Sequence, residues 1–549
     1  MTGVVRTERP AAWEPARYTE PTGSGRRWRW LGWIPLILVL AAETYLSARL
    51  IHVSLISPDE SLYIYSGRQL IDELLHGGGS PYYETYFSGV PDLYPILAAA
   101  ADAVGGLVAA RLMSLAFMLV ATTLLFLTGR RLFGYWPGIV AAALFAGLGI
   151  TQGLGALATF DAMSLMMIAA AAYCGVRAAE RGHRAARWLL LVPLALLAAN
   201  ALKYASLIFD PAVIGLAALR LEPQGWRRVA HRVAALGAAT ALILLVSALL
   251  AGGAFIAGIM YTTLNRPSGV QPAFAVLKTV GAAALIRESW SYLGAVIALG
   301  LLAVPIALVF RDERRKVYCL ILLVLSGCLV TLEAIRLRTD LSMSKHDDFG
   351  AWFVCIAAGY ALARLAHITS LRYIKVPVIA LSIAAVVLSG NRYSDKTLVG
   401  DQSASWSALL PAYADLRPYL ELPSGRYLLG TQVATQIIVT DNPSIPWYRY
   451  ADDLYIKYPI PGRGGDASGS VLGKACMAIK KGCVYLEGPA GYRSAISAHW
   501  FSLISMIGNV HTGQDAAIMA AARSTRGYVL LTTAGGAPTW IYAPDYKDK

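Results

Sequence analysis

The sequence predicts a polytopic α-helical membrane protein of about 11 transmembrane helices, with a small extracytoplasmic α+β domain at its C-terminal end. Of the 549 residues, 56% are hydrophobic and only 15% are charged, and the mean hydropathy is +0.51. A soluble protein carries about 25% charged residues. Apolar runs of roughly 20 residues recur along the chain, and every second short loop between them is basic.

The charge balance fits this class. The chain has 48 Lys and Arg against 34 Asp and Glu, a net charge of +14. In a membrane protein such an excess lies in cytoplasmic loops rather than on a nucleic-acid-binding face. Residues 1–30 are polar and rich in Pro and Arg, which predicts a disordered basic cytoplasmic tail. No small-residue cleavage site follows the basic cluster at residues 26–29, so we expect the first helix to remain as an anchor.

The apolar runs define a predicted transmembrane domain over residues 31–390. A further run, Tyr94–Val104, is short and is expected at the membrane interface. The predicted spans are Leu31–Val53, Leu107–Leu127, Tyr135–Gly153, Gly155–Val176, Trp188–Phe209, Pro211–Leu221, Val233–Ile259, Tyr292–Phe310, Val317–Leu332, Phe349–Ala366 and Val376–Leu388.

The basic loops predict the orientation. They lie at residues 130–131, 177–187, 222–232, 311–316 and 367–375. Lys and Arg accumulate on the cytoplasmic side, so the N-terminus is expected inside and residues 391–544 outside.

The predicted outer domain over residues 391–544 contains strand-like runs at Ile437–Val439 and Tyr528–Leu531. Cys476 and Cys483 lie in this region, either as a local disulfide or as two free thiols. Residues 545–549 look like part of an epitope tag and are not counted in this domain. The other cysteines lie in apolar runs and are expected to be small core residues: Cys174, Cys319, Cys328 and Cys355.

Charged residues recur at the predicted outer ends of the spans. Asp59 and Glu60 follow the first span, in an outer loop over residues 54–106 that also holds Glu84. The remaining members of the set are Arg111, Asp161, Lys203, Lys345 and His346. Any one of them alone is more simply interpreted as a solvated residue at the interface. Together, at one depth on one side, they predict a polar chamber at the outer leaflet.

The chamber has a definite chemical character. Carboxylates serve as general bases or metal ligands, and Lys or Arg binds an anionic phosphate. A lipid phosphate is the natural anion at this depth. Two ammonium groups, Lys203 and Lys345, are expected to repel each other there unless an anion lies between them.

Several short motifs carry a family resemblance. They are Pro58-Asp59-Glu60 with Tyr63, Pro91-Asp92-Leu93-Tyr94, Arg130-Arg131-Leu132-Phe133-Gly134, Thr159-Phe160-Asp161, Lys203, and Lys345-His346. In this order and sidedness, the sequence resembles the GT-C superfamily of membrane glycosyltransferases, in the branch of protein O-mannosyltransferases and aminoarabinose lipid A transferases. Two departures stand out: Asp92 replaces a second Pro, and Asp347-Asp348 follows His346 in place of an apolar segment.

The resemblance implies a GT-C-like fold and a polyprenyl-phosphate-sugar donor. It also implies inversion at the sugar carbon, with the acceptor, a glycan, lipid or protein, attacking directly. By analogy Asp59 is the general base, and Glu60 orients it or acts as a second acid. Glu84 and Asp161 hold the acceptor or a divalent cation, with metal dependence left open. Lys203, Lys345, His346 and Arg111 bind the donor phosphate.

Two alternatives stay open from the sequence. A lipid-linked oligosaccharide ligase or polymerase would share the donor lipid, and Arg287, Arg336 and Arg338 suit its need for outer-loop arginines. A secondary transporter would fit the number of spans. Against the transporter, no related halves are visible and the charges lie at the outer face rather than at the midplane.

Overall fold

The computed structural model describes the membrane-spanning helices and the centre of the C-terminal domain. The described residues are 31–52, 57–76, 87–90, 92–180, 185–252, 256, 259–260, 279–340, 342–368, 372–401, 414–420, 425–430, 449–453, 456–459, 485–506, 514–532 and 537–543.

The membrane-spanning part is built from helices. In chain order they are α1 (Ile34–Ile51), α2 (Pro58–His76), α3 (Tyr94–Phe133), α4 (Tyr135–Gly147), α5 (Gly149–Ala156), α6 (Phe160–Ala178), α7 (Ala185–Leu202), α8 (Asp210–Leu219), α9 (Trp226–Ala251), α10 (Ala282–Val309), α11 (Arg314–Gly327), α12 (Leu329–Leu337), α13 (Met343–Ile368) and α14 (Arg372–Ser394).

Among the described residues, nine helical segments are long and apolar enough to cross a membrane, by length and composition. A tenth span forms if α4 and α5 are counted together, although they meet at a bend of 68°. A shorter apolar helical stretch, Tyr204–Leu219, lies where the sequence predicted the span Pro211–Leu221. The predicted number of about 11 is reached only when this short stretch and the bent pair are both counted.

The helix α3 joins two segments that the sequence analysis kept apart. It is 40 residues long, with a kink at Gly105 and Gly106. Gly106 has φ 66° and ψ −168°, a conformation that other residues avoid. The predicted interfacial run Tyr94–Val104 is therefore the first limb of this kinked helix. Arg68 on α2 donates a hydrogen bond to Asp102 on that limb at 2.5 Å, which ties the two elements together.

The centre of the bundle is α13. In its apolar stretch 89% of the residues are buried, against 11% in each of the stretches of α9 and α14. Trp352 is fully buried, and its indole Nε1 donates to the carbonyl of Ala121 at 3.0 Å. A Cβ atom at Gly359 would come within 2.5 Å of the carbonyl oxygen of Pro137, so α13 and α4 pack backbone to backbone. A helix fixed this firmly is a rigid base for the residues on its first turn.

The C-terminal domain has a five-stranded sheet and a separate two-stranded one. The large sheet has the order β2-β1-β5-β7-β6, in which β1 pairs in parallel with β2 and β5, and β7 pairs antiparallel with β5 and β6. The strands are β1 (Tyr427–Leu429), β2 (Tyr450–Asp452), β3 (Lys457–Pro459), β4 (Tyr485–Glu487), β5 (Leu503–Ser505), β6 (Tyr528–Thr532) and β7 (Pro538–Tyr542). Two described helices, Gly488–Ser497 and Asp515–Ser524, complete the α+β character.

This domain touches the membrane-spanning part at α2. Tyr65 packs against a cluster that includes Leu416, Leu420 and Tyr427. The C-terminal domain thus lies beside the helix that carries the Asp-Glu motif.

The sequence expectations for this end of the chain have mixed outcomes. The strand at Tyr528–Leu531 is confirmed, within β6. Past the predicted domain boundary at residue 391, α14 runs to Ser394 and a π-helical turn continues to Asp401. Residues 1–30, the run Ile437–Val439, Cys476 and Cys483 lie outside the described residues.

The cysteines of the membrane-spanning part behave as expected. All four are free thiols; Cys328 is half-buried, and the fully buried ones are Cys174, Cys319 and Cys355.

Candidate active site

The first turn of α2 begins with a capping box. The backbone N–H of Ser57 donates to Glu60 Oε2 at 2.7 Å, and the N–H of Glu60 donates to Ser57 Oγ at 3.3 Å. Ser57 and Glu60 have the spacing that satisfies unpaired donors at a helix start, with Pro58 between them as the first helical residue. The motif therefore has a structural cause as well as a chemical one. The Ser-x-x-Glu pattern is visible in the sequence, but the capping role of Ser57 was not predicted.

Glu60 and Arg111 form an ion pair that we call the sealed pair. Arg111 Nε lies 2.7 Å from Glu60 Oε1 and Nη2 lies 2.8 Å from Oε2, a two-pronged contact. The two side chains are 0% and 2% exposed. Ala158 N–H also donates to Glu60 Oε1 at 2.7 Å, and Arg111 Nη1 donates to the carbonyl of Ile51 at 2.6 Å.

The sealed pair therefore fastens the start of α2 to α1, α3 and the segment after α5. With four donors on its two oxygens, the Glu60 carboxylate is saturated, which favours its predicted orienting role over that of a second acid. Arg111 is turned toward Glu60 and the Ile51 carbonyl inside the protein. This placement argues against the predicted phosphate contact for Arg111 and gives it a supporting role instead.

Asp59 and Lys345 form the second ion pair, which we call the open pair. Lys345 lies on the first turn of α13 and donates to Asp59 Oδ2 across 286 residues of sequence. The Asp59 side chain is 39% exposed and that of Lys345 is 22% exposed. His346, the next residue on α13, is half-buried. A substrate can therefore reach Asp59. The Asp59 carboxylate, however, already has a cationic partner in Lys345.

Asp161 and Lys203 form the third, which we call the inner pair. Their side chains are in direct ionic contact and are 1% and 4% exposed. Lys203 follows α7, and its Nζ also lies 4.6 Å from the ring centroid of Phe160. Phe160 packs in turn on Tyr63 of α2, with ring centroids 4.6 Å apart. Aromatic walls thus line the buried side of the site.

The open and inner pairs lie close enough to form one electrostatic unit. Lys203 interacts with both Lys345 and Asp59, and Lys345 interacts with Asp161. The sequence predicted that the two lysines repel each other unless an anion lies between them. Each ammonium group has a carboxylate of its own, so the repulsion is already offset within the protein.

Buried acids lie behind this unit. Thr151 on α5 donates to Asp348 Oδ1 at 2.6 Å, and Thr122 on α3 donates to Glu43 Oε1 at 2.9 Å. Asp347, Asp348 and Glu43 are each 0% exposed. In the sequence the Asp347-Asp348 dipeptide stands out only as a departure from the family pattern. Its burial has no local signal, because it depends on how α5 and α13 pack.

A polar cluster fixes the last span beside α5. Arg49, near the end of α1, donates to Gln152 at 3.0 Å, to Asn391 at 3.2 Å and to Ser394 at 2.7 Å. It also pairs with Asp395 at 2.5 Å. We call these residues the Arg49 cluster.

The metal prediction was attached to Glu84 and Asp161. Glu84 lies outside the described residues, and Asp161 is engaged with Lys203. Within the described part of the chain, no group of three or more His, Cys, Asp or Glu side chains is arranged to hold a metal ion.

Comparison with known proteins begins with the sequence. The family model described as dolichyl-phosphate-mannose-protein mannosyltransferase matches residues 96–251. This range includes Arg111, Asp161 and Lys203. A search of curated protein sequences found no match.

Solved structures match over almost the whole chain. ArnT from Cupriavidus metallidurans in the apo state has 14% identity and a TM-score of 0.57, covering 94% of this chain and 98% of its own. The same protein bound to undecaprenyl phosphate has 12% identity, with the same TM-score and coverage. Oligosaccharyltransferase AglB from Archaeoglobus fulgidus, in complex with an inhibitory peptide and a dolichol-phosphate, has 11% identity and a TM-score of 0.51, covering 95% of this chain and 75% of its own.

At these identities the matches establish the fold. The chain has the fold of ArnT and AglB, and the resemblance to the GT-C superfamily inferred from the motifs is confirmed.

Proposed function

We propose that the protein is an inverting glycosyltransferase that moves a sugar from a polyprenyl-phosphate-sugar donor to an acceptor at the outer face of the cytoplasmic membrane. The observation that carries this proposal is the open pair, where the accessible carboxylate of Asp59 lies beside the ammonium group of Lys345. The family description names a dolichyl-phosphate-linked donor, and two structural neighbours are bound to lipid phosphates, which supports a donor of this kind.

The proposed reaction is one direct displacement. The acceptor hydroxyl oxygen bonds to the anomeric carbon while the bond from that carbon to the phosphate oxygen breaks. Asp59 takes the hydroxyl proton, and the bonding electron pair leaves with the phosphate. Attack opposite the leaving group inverts the sugar carbon. A positioned base contributes about 10²–10⁴-fold to such a rate, and fixed positive charge stabilises the departing oxygen.

The other residues take supporting roles. Glu60, held by Arg111, keeps the first turn of α2 in place and so fixes the direction of Asp59. Lys345 and Lys203 supply positive charge for the phosphate, with His346 beside them. Glu84 and Asp161 remain the proposed contacts for the acceptor or a divalent cation.

A transfer assay tests the proposal. The purified protein in liposomes is given a labelled polyprenyl-phosphate-sugar, and free polyprenyl phosphate and glycosylated acceptor are both quantified. Glu333→Gln is a matched control, because it removes a carboxylate from an exposed ion pair with Arg336. Such an exposed pair contributes little to stability. Transfer at the wild-type rate by Asp59→Asn would show that Asp59 is not the base.

The side of the membrane is a separate part of the proposal. The basic loops between the predicted spans support an orientation with the N-terminus inside and the C-terminal domain outside. A cysteine introduced as Gly464→Cys should react with a membrane-impermeant reagent in intact cells. Labelling only after lysis would move the proposed site to the cytoplasmic face.

A lipid-linked oligosaccharide donor is the second candidate, favoured by the AglB match. The same assay separates the two. A donor with a single sugar on one phosphate should be consumed under the first proposal, and only an oligosaccharide donor under the second.

A further inference from the structure

We propose that donor binding releases the catalytic base: the phosphate of the lipid donor takes Lys345 from Asp59, so that Asp59 can accept the acceptor's proton only when the donor is in place. This inference rests on the proposed function and adds to it a dependence of acceptor activation on the donor.

Asp59 is already engaged in the structure, where its Oδ2 accepts a hydrogen bond from the Lys345 ammonium group. That hydrogen bond uses an oxygen that the acceptor hydroxyl would otherwise approach. The accessible acid of the site is thus restrained in the absence of substrate.

The three ion pairs differ in exposure. In the sealed and inner pairs no side chain is more than 4% exposed. Breaking either pair would leave a charge buried without a partner, which is strongly destabilising. The open pair has 39% and 22% of its side chains exposed, so water and a ligand can replace the lost contact. It is the pair of the three that can exchange partners at low cost.

Lys345 and Asp59 both lie on rigid parts of the bundle. Lys345 lies on the first turn of α13, the most buried long helix of the bundle, and Asp59 lies on a turn fixed by the sealed pair. Neither backbone needs to move for the exchange. Lysine has a flexible four-carbon stem and three donors, so its ammonium group can turn from a carboxylate to a phosphate nearby.

The charge of the site changes during the reaction. The charges of the two lysines and two aspartates in the open and inner pairs sum to zero. Proton transfer to Asp59 leaves the remaining three groups with a net charge of one positive unit. At the same step the donor phosphodiester loses its sugar and becomes a phosphate monoester with one more negative charge. The protein therefore gains positive charge where and when the leaving group gains negative charge.

A double-mutant cycle on lipid binding tests the exchange without measuring activity. Undecaprenyl phosphate is titrated into the full-length protein in nanodiscs, with binding followed by native mass spectrometry. The variants are Asp59→Asn, Lys345→Met and the two combined, with Glu333→Gln as the control. If Asp59 competes with the phosphate for Lys345, Asp59→Asn should tighten binding roughly fivefold, equal to about 1 kcal/mol.

The cycle separates exchange from simple repulsion between a carboxylate and a phosphate. Under the exchange, the tightening should fall below about twofold in the Lys345→Met background, because no ammonium group remains to be released. Equal tightening in both backgrounds would mean direct repulsion and would overturn the inference. No tightening in either background would overturn it as well.

The inference and the proposed function fail in different ways. If the wild-type protein binds undecaprenyl phosphate and the cycle is additive, the exchange is wrong and the glycosyltransferase proposal stands. If the wild-type protein does not bind the lipid phosphate at all, both are overturned.

Discussion

The sealed pair and the open pair start from neighbouring residues of α2 and have opposite properties. Glu60 is buried with Arg111 and receives donors from four groups, whereas Asp59 is accessible and has the single flexible partner Lys345. Both are carboxylates in the first turn of one helix, and in the sequence only the capping-box spacing of Glu60 from Ser57 distinguishes them. Saturation and burial thus make one acid structural, whereas exposure leaves its neighbour available for chemistry.

The largest effect expected from this comparison is on transfer. Asp59→Asn should lower the rate by about 10²–10⁴-fold, because the amide cannot accept the acceptor's proton. The unfolding midpoint in detergent should stay near that of the wild-type protein, since both side chains of the open pair are partly exposed and water can replace the lost contact. The rate is measured by single-turnover transfer from a labelled donor. A variant that is both inactive and unfolded would remove the distinction between the two pairs.

The next effect concerns the sealed pair. Arg111→Met should reduce the free energy of unfolding by roughly 3–5 kcal/mol, because Glu60 would be left charged and buried without a cation. Denaturant unfolding in detergent micelles measures the change. Arg111→Lys is the matched control, which keeps the charge but not the two-pronged contact. Its free energy of unfolding should fall between those of the wild-type protein and Arg111→Met. Wild-type stability in Arg111→Met would show that the pair is dispensable.

A smaller effect is expected at Lys345. Lys345→Met should weaken binding of the lipid phosphate by roughly 1.5–3 kcal/mol, the range for a lost hydrogen bond to a charged group. Affinity for a water-soluble acceptor should change much less. Arg364→Met, at the other end of α13, is the control and should leave donor affinity as it is, because Arg364 pairs with Asp312. Unchanged donor affinity in Lys345→Met would remove that lysine from the phosphate site.

The smallest effect is expected behind the site. Thr151→Val keeps the shape of the side chain and removes the hydroxyl that donates to Asp348. An acceptor left unpaired in the interior costs about 1–3 kcal/mol, and Thr151→Ser should recover most of it. Thermal unfolding under equal detergent conditions compares the two variants. A greater loss in Thr151→Ser than in Thr151→Val would mean that the methyl group, not the hydroxyl, matters.

The sequence predicted the class of fold and most of the residues that gather at the site. Apolar runs and basic loops report on length and polarity, which are local properties, so α1, α6 and α9 are found near their predicted positions. The kink of α3 was readable as Gly105-Gly106, but whether two glycines separate two helices or bend one depends on packing.

Pairing was the part that the sequence could not supply. Asp59 and Lys345 lie on helices far apart in the chain, and nothing local to either residue specifies the other. The same holds for Arg111, which looked free to bind phosphate until its distance to Glu60 was known. Partner choice follows from the arrangement of the whole bundle.

The Arg49 cluster sets a limit on how this protein can be taken apart. Asn391, Ser394 and Asp395 are bonded to the end of α1, so the end of the last span belongs to the membrane-spanning part. A chimera that exchanges the C-terminal domain with that of a relative should therefore be joined beyond Asp401. A join at residue 391 would place foreign side chains around the Arg49 guanidinium group, which also contacts Gln152. The chimera would then disturb the membrane-spanning part that it was meant to preserve.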